Sequence, residues 1–147
     1  MTVGIEVEGL RELQARVRRL PKVAQAELRE ASQAIADMEA PRLRGAASAS
    51  SRQAGAIASS IRVRRDRFPA IAAGGRGRTG VSGGATAGQL FYGAEFGGRR
   101  SRTTMQFRPH LGQRGYFFFP TLRADQPKQR DLWEAALRNL EREWGVI

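Results

Sequence analysis

Most of the aromatic side chains of this sequence fall between Gln89 and Leu122, and two short pieces of that stretch constrain the fold more than any other feature. One is Leu90-Phe91-Tyr92-Gly93-Ala94-Glu95-Phe96-Gly97-Gly98; the other is Gly115-Tyr116-Phe117-Phe118-Phe119-Pro120-Thr121-Leu122. Both are aromatic runs bounded by glycine or proline, a pattern that predicts buried strands. Every Phe and Tyr lies between Phe68 and Phe119, and both tryptophans, Trp133 and Trp144, sit in the last segment. The expectation is an α+β fold: a mostly antiparallel sheet in the middle of the chain, covered by helices from its two ends.

The flanks carry helical spacing. Val3 to Val7 alternates like a short edge strand. Leu10, Leu13, Val17 and Leu20 then recur at steps of three and four, and the stripe resumes after Pro21 with Ala24, Leu28, Ala31, Ile35 and Met38. This predicts a long amphipathic helix, bent or broken near Pro21 and ended by Pro41. Gly45 to Ser60 is rich in Ala, Ser and Gly and reads as a connector with one helical turn before Ser59. Ile61-Arg62-Val63-Arg64 begins a strand, and Phe68 to Ala73 is its hairpin partner, with Pro69 pushing it toward an edge. Pro127 marks the start of a last helix, capped by Asp125 or Gln126, with Trp133, Leu137, Leu140 and Trp144 on one stripe. The 147 residues form one domain in this reading: an N-terminal strand and helix (1–44), a basic strand-rich middle (45–123) and a C-terminal helix (124–147).

Charge is concentrated in the middle. Residues 1–44 hold eight basic and seven acidic groups and residues 124–147 hold four and five, so the two ends cancel. Residues 45–123 hold thirteen arginines against Asp66 and Glu95 alone, which is the whole net charge of +11. Such a surplus favours a polyanion or an acidic protein surface; arginine supplied for solubility explains the overall charge equally well. Two long Gly/Arg-rich loops carry part of it: Gly74–Gly88, with Arg76 and Arg78, and Gly98–Thr104, with Arg99, Arg100 and Arg102.

The remaining observations narrow the chemistry by exclusion. With no cysteine there is no disulfide framework and no thiolate metal site. The N-terminus lacks the pattern of a signal peptide, and no stretch reaches the roughly 18–20 apolar residues of a membrane span, so a soluble protein made in a cytoplasm is expected. Gly75-Arg76-Gly77-Arg78-Thr79-Gly80 matches a dinucleotide fingerprint, but no helical sequence follows it and no acidic residue stands at the required distance. Gly80-Val81-Ser82-Gly83-Gly84 matches a nucleophile elbow, with Glu95 and His110 following in hydrolase order, yet it lacks the flanking strand and helix. His110, the only histidine, has no second metal ligand near it in sequence. No catalytic residue, cofactor or metal is assigned. The arginines interleaved with aromatics from Arg99 to Phe119 leave single-stranded nucleic acid as a possible ligand, although the consecutive Phe117-Phe118-Phe119 favours core rings over stacking platforms.

The order of these pieces resembles the small neck or tail-completion proteins of long-tailed bacteriophages, which join the filled head to the tail. The resemblance runs from Val7-Glu8-Gly9-Leu10 and Leu20-Pro21 through Pro41, Gly55-Ala56-Ile57 and Ser60-Ile61. It continues to Tyr92 with Glu95-Phe96-Gly97, then Phe118-Phe119-Pro120-Thr121-Leu122, and closes on the last amphipathic stretch. Gly98 stands where the family usually has threonine, and residues 98–115 make a longer connection than is usual. The resemblance implies a structural, non-enzymatic virion protein that assembles as a ring of six around the DNA channel. Its partners would be its own copies, the adjacent connector and tail-tube or terminator proteins, and genomic DNA held without sequence preference. It also implies structural roles for Tyr92, Glu95, Phe96, Gly97, Phe118 and Pro120, and interface or DNA-facing roles for Arg76, Arg78, Arg99, Arg100 and Arg102. A tail terminator or minor tail protein, and a basic nucleic-acid-binding module, are the alternatives.

Overall fold

A computed structural model describes residues 21–98 and 105–144, with Ala15 and Arg18, both helical, from the segment before them. The expected strand at 3–7, the Leu10–Leu20 stripe and the loop at 99–104 lie outside the described residues. Helix and strand are both present, so the fold is mixed, but helix dominates. In chain order the elements are helix α1 (Lys22–Ser50), short helix α2 (Arg52–Ile57) with a 3-10 turn (Ala58–Ser60), strands β1 (Arg62–Arg64) and β2 (Ala70–Ala72), helix α3 (Ala87–Phe96), a 3-10 turn (Gly112–Arg114) and helix α4 (Phe118–Trp144).

The expected central sheet is the main correction. Among the described residues the sheet is a single two-stranded antiparallel ribbon, Arg62 opposite Ala72, Val63 opposite Ile71 and Arg64 opposite Ala70. The aromatic pieces are helical instead. Leu90 to Phe96 belongs to α3, whose buried positions Ala87, Leu90, Phe91, Ala94 and Glu95 follow the i, i+3, i+4 rule of one helix face. The one charged residue of the run, Glu95, falls on the buried face and the rest is aromatic or apolar, so no polar stripe marks the period and strand and helix read alike. The signal that distinguishes them is local. Thr86 and Gln89 form a capping box, with Thr86 Oγ1 accepting from the Gln89 N–H and Gln89 Oε1 accepting from the Thr86 N–H.

The long helices also cross their expected limits. A new helix does start after Pro21, which is extended at φ −53° and ψ 147°. It does not end at Pro41, however; α1 carries that proline in its interior and runs on to Ser50. The proline forfeits one backbone hydrogen bond, and burial of Leu43 and Ala47 beyond it holds the helix together. Gly45 to Ser50 is thus helix, while the expected helical turn before Ser59 is present as α2 and its 3-10 extension. At the other end α4 begins at Phe118, not at Pro127, and Asp125 is an interior residue, not a cap.

α1 and α4 pack along one another, and α2 bridges α1 to α3. The face of α4 toward α1 is Asp125, Gln129, Ala136 and Leu140; Trp133 and Leu137, expected on the buried stripe, are more than a third exposed. The core lies where the helices meet, built from Leu43, Ala54, Ile57, Ile61, Leu90, Phe91, Phe117 and Phe118 with small alanines between them. Phe91 meets Phe117 and Phe118 edge-on at 6.3 and 5.4 Å between ring centres, the favoured geometry for such rings.

Candidate functional site

The residues singled out in the two aromatic pieces converge on one point, the N-terminus of α4. The first N–H groups of a helix have no partner within it. Here Phe117 and Phe118 donate to Oε2 of Glu95 at 3.0 and 2.8 Å, and Phe119 donates to Oε1 at 2.9 Å. Pro120 has no N–H, and Thr121 makes the first intrahelical bond, to Phe117 O at 3.2 Å. Every donor of the first turn is accounted for. The carboxylate is fully buried and sits at the positive end of the helix dipole, where an anion is stabilised. Its own backbone carbonyl accepts from Tyr116 N–H at 2.7 Å.

Glycines make that approach possible. Gly115 turns at φ 72° and ψ 165°, a region only glycine occupies readily, and a methyl group there would overlap the Glu95 carboxylate. Gly97 ends α3 at φ 77°, hard against the carbonyl of Pro109, and a side chain at Gly97 would strike it. Leu111 N–H donates to Phe96 O and Gly98 N–H to Arg108 O, both at 2.9 Å, so the returning segment is stitched to the end of α3. Arg108 lies over the Tyr116 ring at 3.7 Å and donates to Ser50 Oγ at 2.5 Å. Tyr92, Phe96 and Phe119 stack in a row with ring centres 6.1 and 5.7 Å apart, Tyr92 being the exposed end. Tyr92, Glu95, Phe96, Gly97, Phe118 and Pro120 therefore form one junction.

The cationic candidates are elsewhere. Arg76 and Arg78 are exposed on the glycine-rich loop, which doubles back on itself: Thr79 N–H donates to Ala85 O, Ala87 N–H to Gly77 O and Gly88 N–H to Gly75 O, all at 2.9 Å. Arg99, Arg100 and Arg102 lie outside the described residues. Sequence reasoning placed Arg62 and Arg64 on a strand without weighing them, with Arg65 and Arg67, as a charged surface; all four are exposed on the β1–β2 ribbon.

Two polar contacts between α1 and α4 were also missed. Buried Asp125 is gripped by the Arg42 guanidinium through Nε and Nη2, with Lys128 Nζ at 3.4 Å. Hydrogen bonding from Arg42, then the charges of Arg42 and Lys128, hold the Asp125 carboxyl below the usual range against the opposing effect of burial. Buried Glu39 accepts from Gln129 Nε2 at 2.9 Å. Neither contact is readable locally, because the partners are more than eighty residues apart in sequence.

Chemically the junction ties the end of α3 to the start of α4. Both oxygens of Glu95 are occupied by amide donors, Ser82 sits at φ 53° in an exposed turn, and His110 is exposed on the returning segment. Among the described residues no cluster of His, Asp and Glu could hold a metal ion, and no helix is long and apolar enough to cross a membrane. No protein-family model, curated protein or solved structure matches the chain.

Proposed function

We propose that this chain is a structural protein of the neck of a long-tailed bacteriophage. In this reading six copies form a ring that joins the DNA-filled head to the tail and surrounds the DNA channel, without catalytic activity. It is made in the host cytoplasm and ends in the virion, against its own neighbours, the adjacent connector, the tail-tube or terminator proteins and the genome. A ring needs two different faces on each subunit.

One observation supports the reading. Two of the pieces in the ordered set that carries the resemblance, Tyr92 to Gly97 and Phe118 to Leu122, meet in one junction, in which the glutamate of the first caps the helix that the second begins. Their occurrence together in the sequence thus has a physical counterpart in the fold. The second reading, a free-standing basic nucleic-acid-binding module, draws on the thirteen arginines of residues 45–123.

Electron microscopy of a lysate from the parent phage or prophage with this gene disrupted tests the proposal. Filled heads beside separate tails are the expected result. Joined particles with tails of abnormal length would move the protein to the tail terminator, and ordinary particles would overturn the structural role in favour of the second reading.

A further inference from the structure

The β1–β2 ribbon is the most concentrated charge among the described residues. Within Arg62–Arg67 four of six residues are arginine, all four exposed, and Asp66 is the single acid. Asp66 pairs with Arg64 at 2.7 Å, while Arg62, Arg65 and Arg67 make no ion pair or side-chain hydrogen bond with described residues. Strand alternation puts Arg62 and Arg64 on one face and half-buried Val63, opposite Ile71, on the other. The cross-strand partners of the two arginines are Ala72 and Ala70, whose small side chains do not crowd them, and Asp66 neutralises Arg64 alone.

The ribbon is held firmly at its base. Ile61, fully buried, leads into β1, and its carbonyl accepts from Arg44 Nε at 2.7 Å. Beyond β2, Gly74 N–H donates to Ser60 Oγ at 2.9 Å, so entry and exit are tied together. A two-stranded antiparallel ribbon is of a size that the major groove of duplex DNA admits. Residues 62–72 contain no Asn, Gln, Ser or Thr, so the amide and hydroxyl groups that commonly read base edges are missing from it. Arginine can itself fork onto a guanine edge, but three guanidinium groups unpaired among the described residues, with no amide or hydroxyl neighbour among them, match the phosphates, which a duplex of any sequence presents.

We infer that the β1–β2 ribbon, through Arg62, Arg65 and Arg67, is a sequence-independent binding surface for the phosphate backbone of duplex DNA. This deepens the proposed role by assigning a DNA contact to the ribbon, beside the interface or DNA-facing roles implied for Arg76, Arg78, Arg99, Arg100 and Arg102, and it rests on that role only for where in a particle the contact is made. The test is fluorescence anisotropy of the full chain with a labelled mixed-sequence duplex over a series of salt concentrations. The triple variant Arg62→Ala/Arg65→Ala/Arg67→Ala should weaken binding and lower the slope of log affinity against log salt by about 2–3, as loss of three phosphate contacts requires. A lysine triple should keep most of the affinity, and Arg29→Ala/Arg130→Ala, on the exposed surfaces of α1 and α4, should change little. All replaced side chains are exposed, so circular dichroism should be unchanged.

Wild-type affinity in the alanine triple, or loss confined to Arg76→Ala/Arg78→Ala, would overturn the assignment. So would a chain that ignores the duplex yet binds polyglutamate, which would point to an acidic protein partner. Binding is measured on the purified chain and joining in the particle, so this inference and the neck role fail separately.

Discussion

Gly115 and Glu95 are packed so closely that the glycine cannot carry a side chain: a methyl group on Gly115 would overlap Oε1 of the carboxylate that caps α4. The backbone there, at φ 72° and ψ 165°, excludes other residues independently of the contact. Gly115→Ala therefore meets two penalties at once, strain at the turn and displacement of the cap. We expect a loss of about 3 kcal/mol or more, read from urea denaturation. Gly112→Ala provides the control, because Gly112 shares a positive φ of 63° but has open space around it and should lose only the turn penalty. Equal losses in the two variants would show that the contact with Glu95 contributes nothing.

The same cap predicts an ordered series at Glu95. Glu95→Ala leaves three backbone donors buried beside an empty space and should cost about 3–5 kcal/mol, enough to unfold a marginal domain. Glu95→Gln keeps one oxygen and turns an NH2 group toward a donor, so a smaller loss of about 1–3 kcal/mol is expected. Hydrogen exchange locates the effect. The amides of Phe117, Phe118 and Phe119 should lose protection in the glutamine variant while those in the middle of α1 keep it. Uniform loss along the chain would mean that the carboxylate serves the whole core and not the helix start.

This junction also shows what the sequence disclosed and what it withheld. The ribbon was legible because Arg62-Val63-Arg64 alternates and Pro69 lies just before β2, and both are local signals. The break at Pro21 was legible for the same reason. The aromatic pieces were not, since Leu90-Phe91-Tyr92 and Phe117-Phe118-Phe119 lack polar residues to reveal a period. Thr86 and Gln89 did mark a helix start at the right place. Pro120 is a further sign, since a proline suits the first turn of a helix. What no local rule could supply is the cap itself, because Glu95 reaches the start of α4 from more than twenty residues upstream. Prolines misled twice in the opposite direction: Pro41 and Pro127 lie inside helices whose packing outweighs the lost hydrogen bond.

Asp125 should make the fold acid-sensitive in a defined way. Its folded carboxyl is held below the usual range by Arg42, so the bridge contributes stability above the unfolded value and loses it as pH falls through the lowered one. Wild-type stability should therefore drop as pH is taken below about 4, the ordinary aspartate value. Asp125→Asn should start less stable at neutral pH and show a shallower drop over that acid range. Parallel curves for the two proteins would mean that other carboxyl groups carry the acid response.

Gly93 sits inside α3 directly beneath Phe107, and its replacement pits two effects against each other. Alanine in a helix interior is favoured over glycine by about 1 kcal/mol. Yet a methyl group at Gly93 would lie 2.5–2.7 Å from three atoms of the Phe107 ring, far inside normal contact. That ring is half-buried against the core and cannot swing away as a flexible chain end would. Overpacking of this kind costs about 1–3 kcal/mol, so Gly93→Ala should be destabilising on balance. Phe107→Ala alone should also destabilise, by loss of buried ring area. In the double variant the clash is gone and the helix preference remains, so Gly93→Ala should become stabilising when Phe107 is already alanine. Denaturation midpoints of the four proteins give the coupling directly. Additive effects would show that the Phe107 ring does not rest on Gly93, and that the segment from Met105 to Leu111 packs against α3 by some other contact.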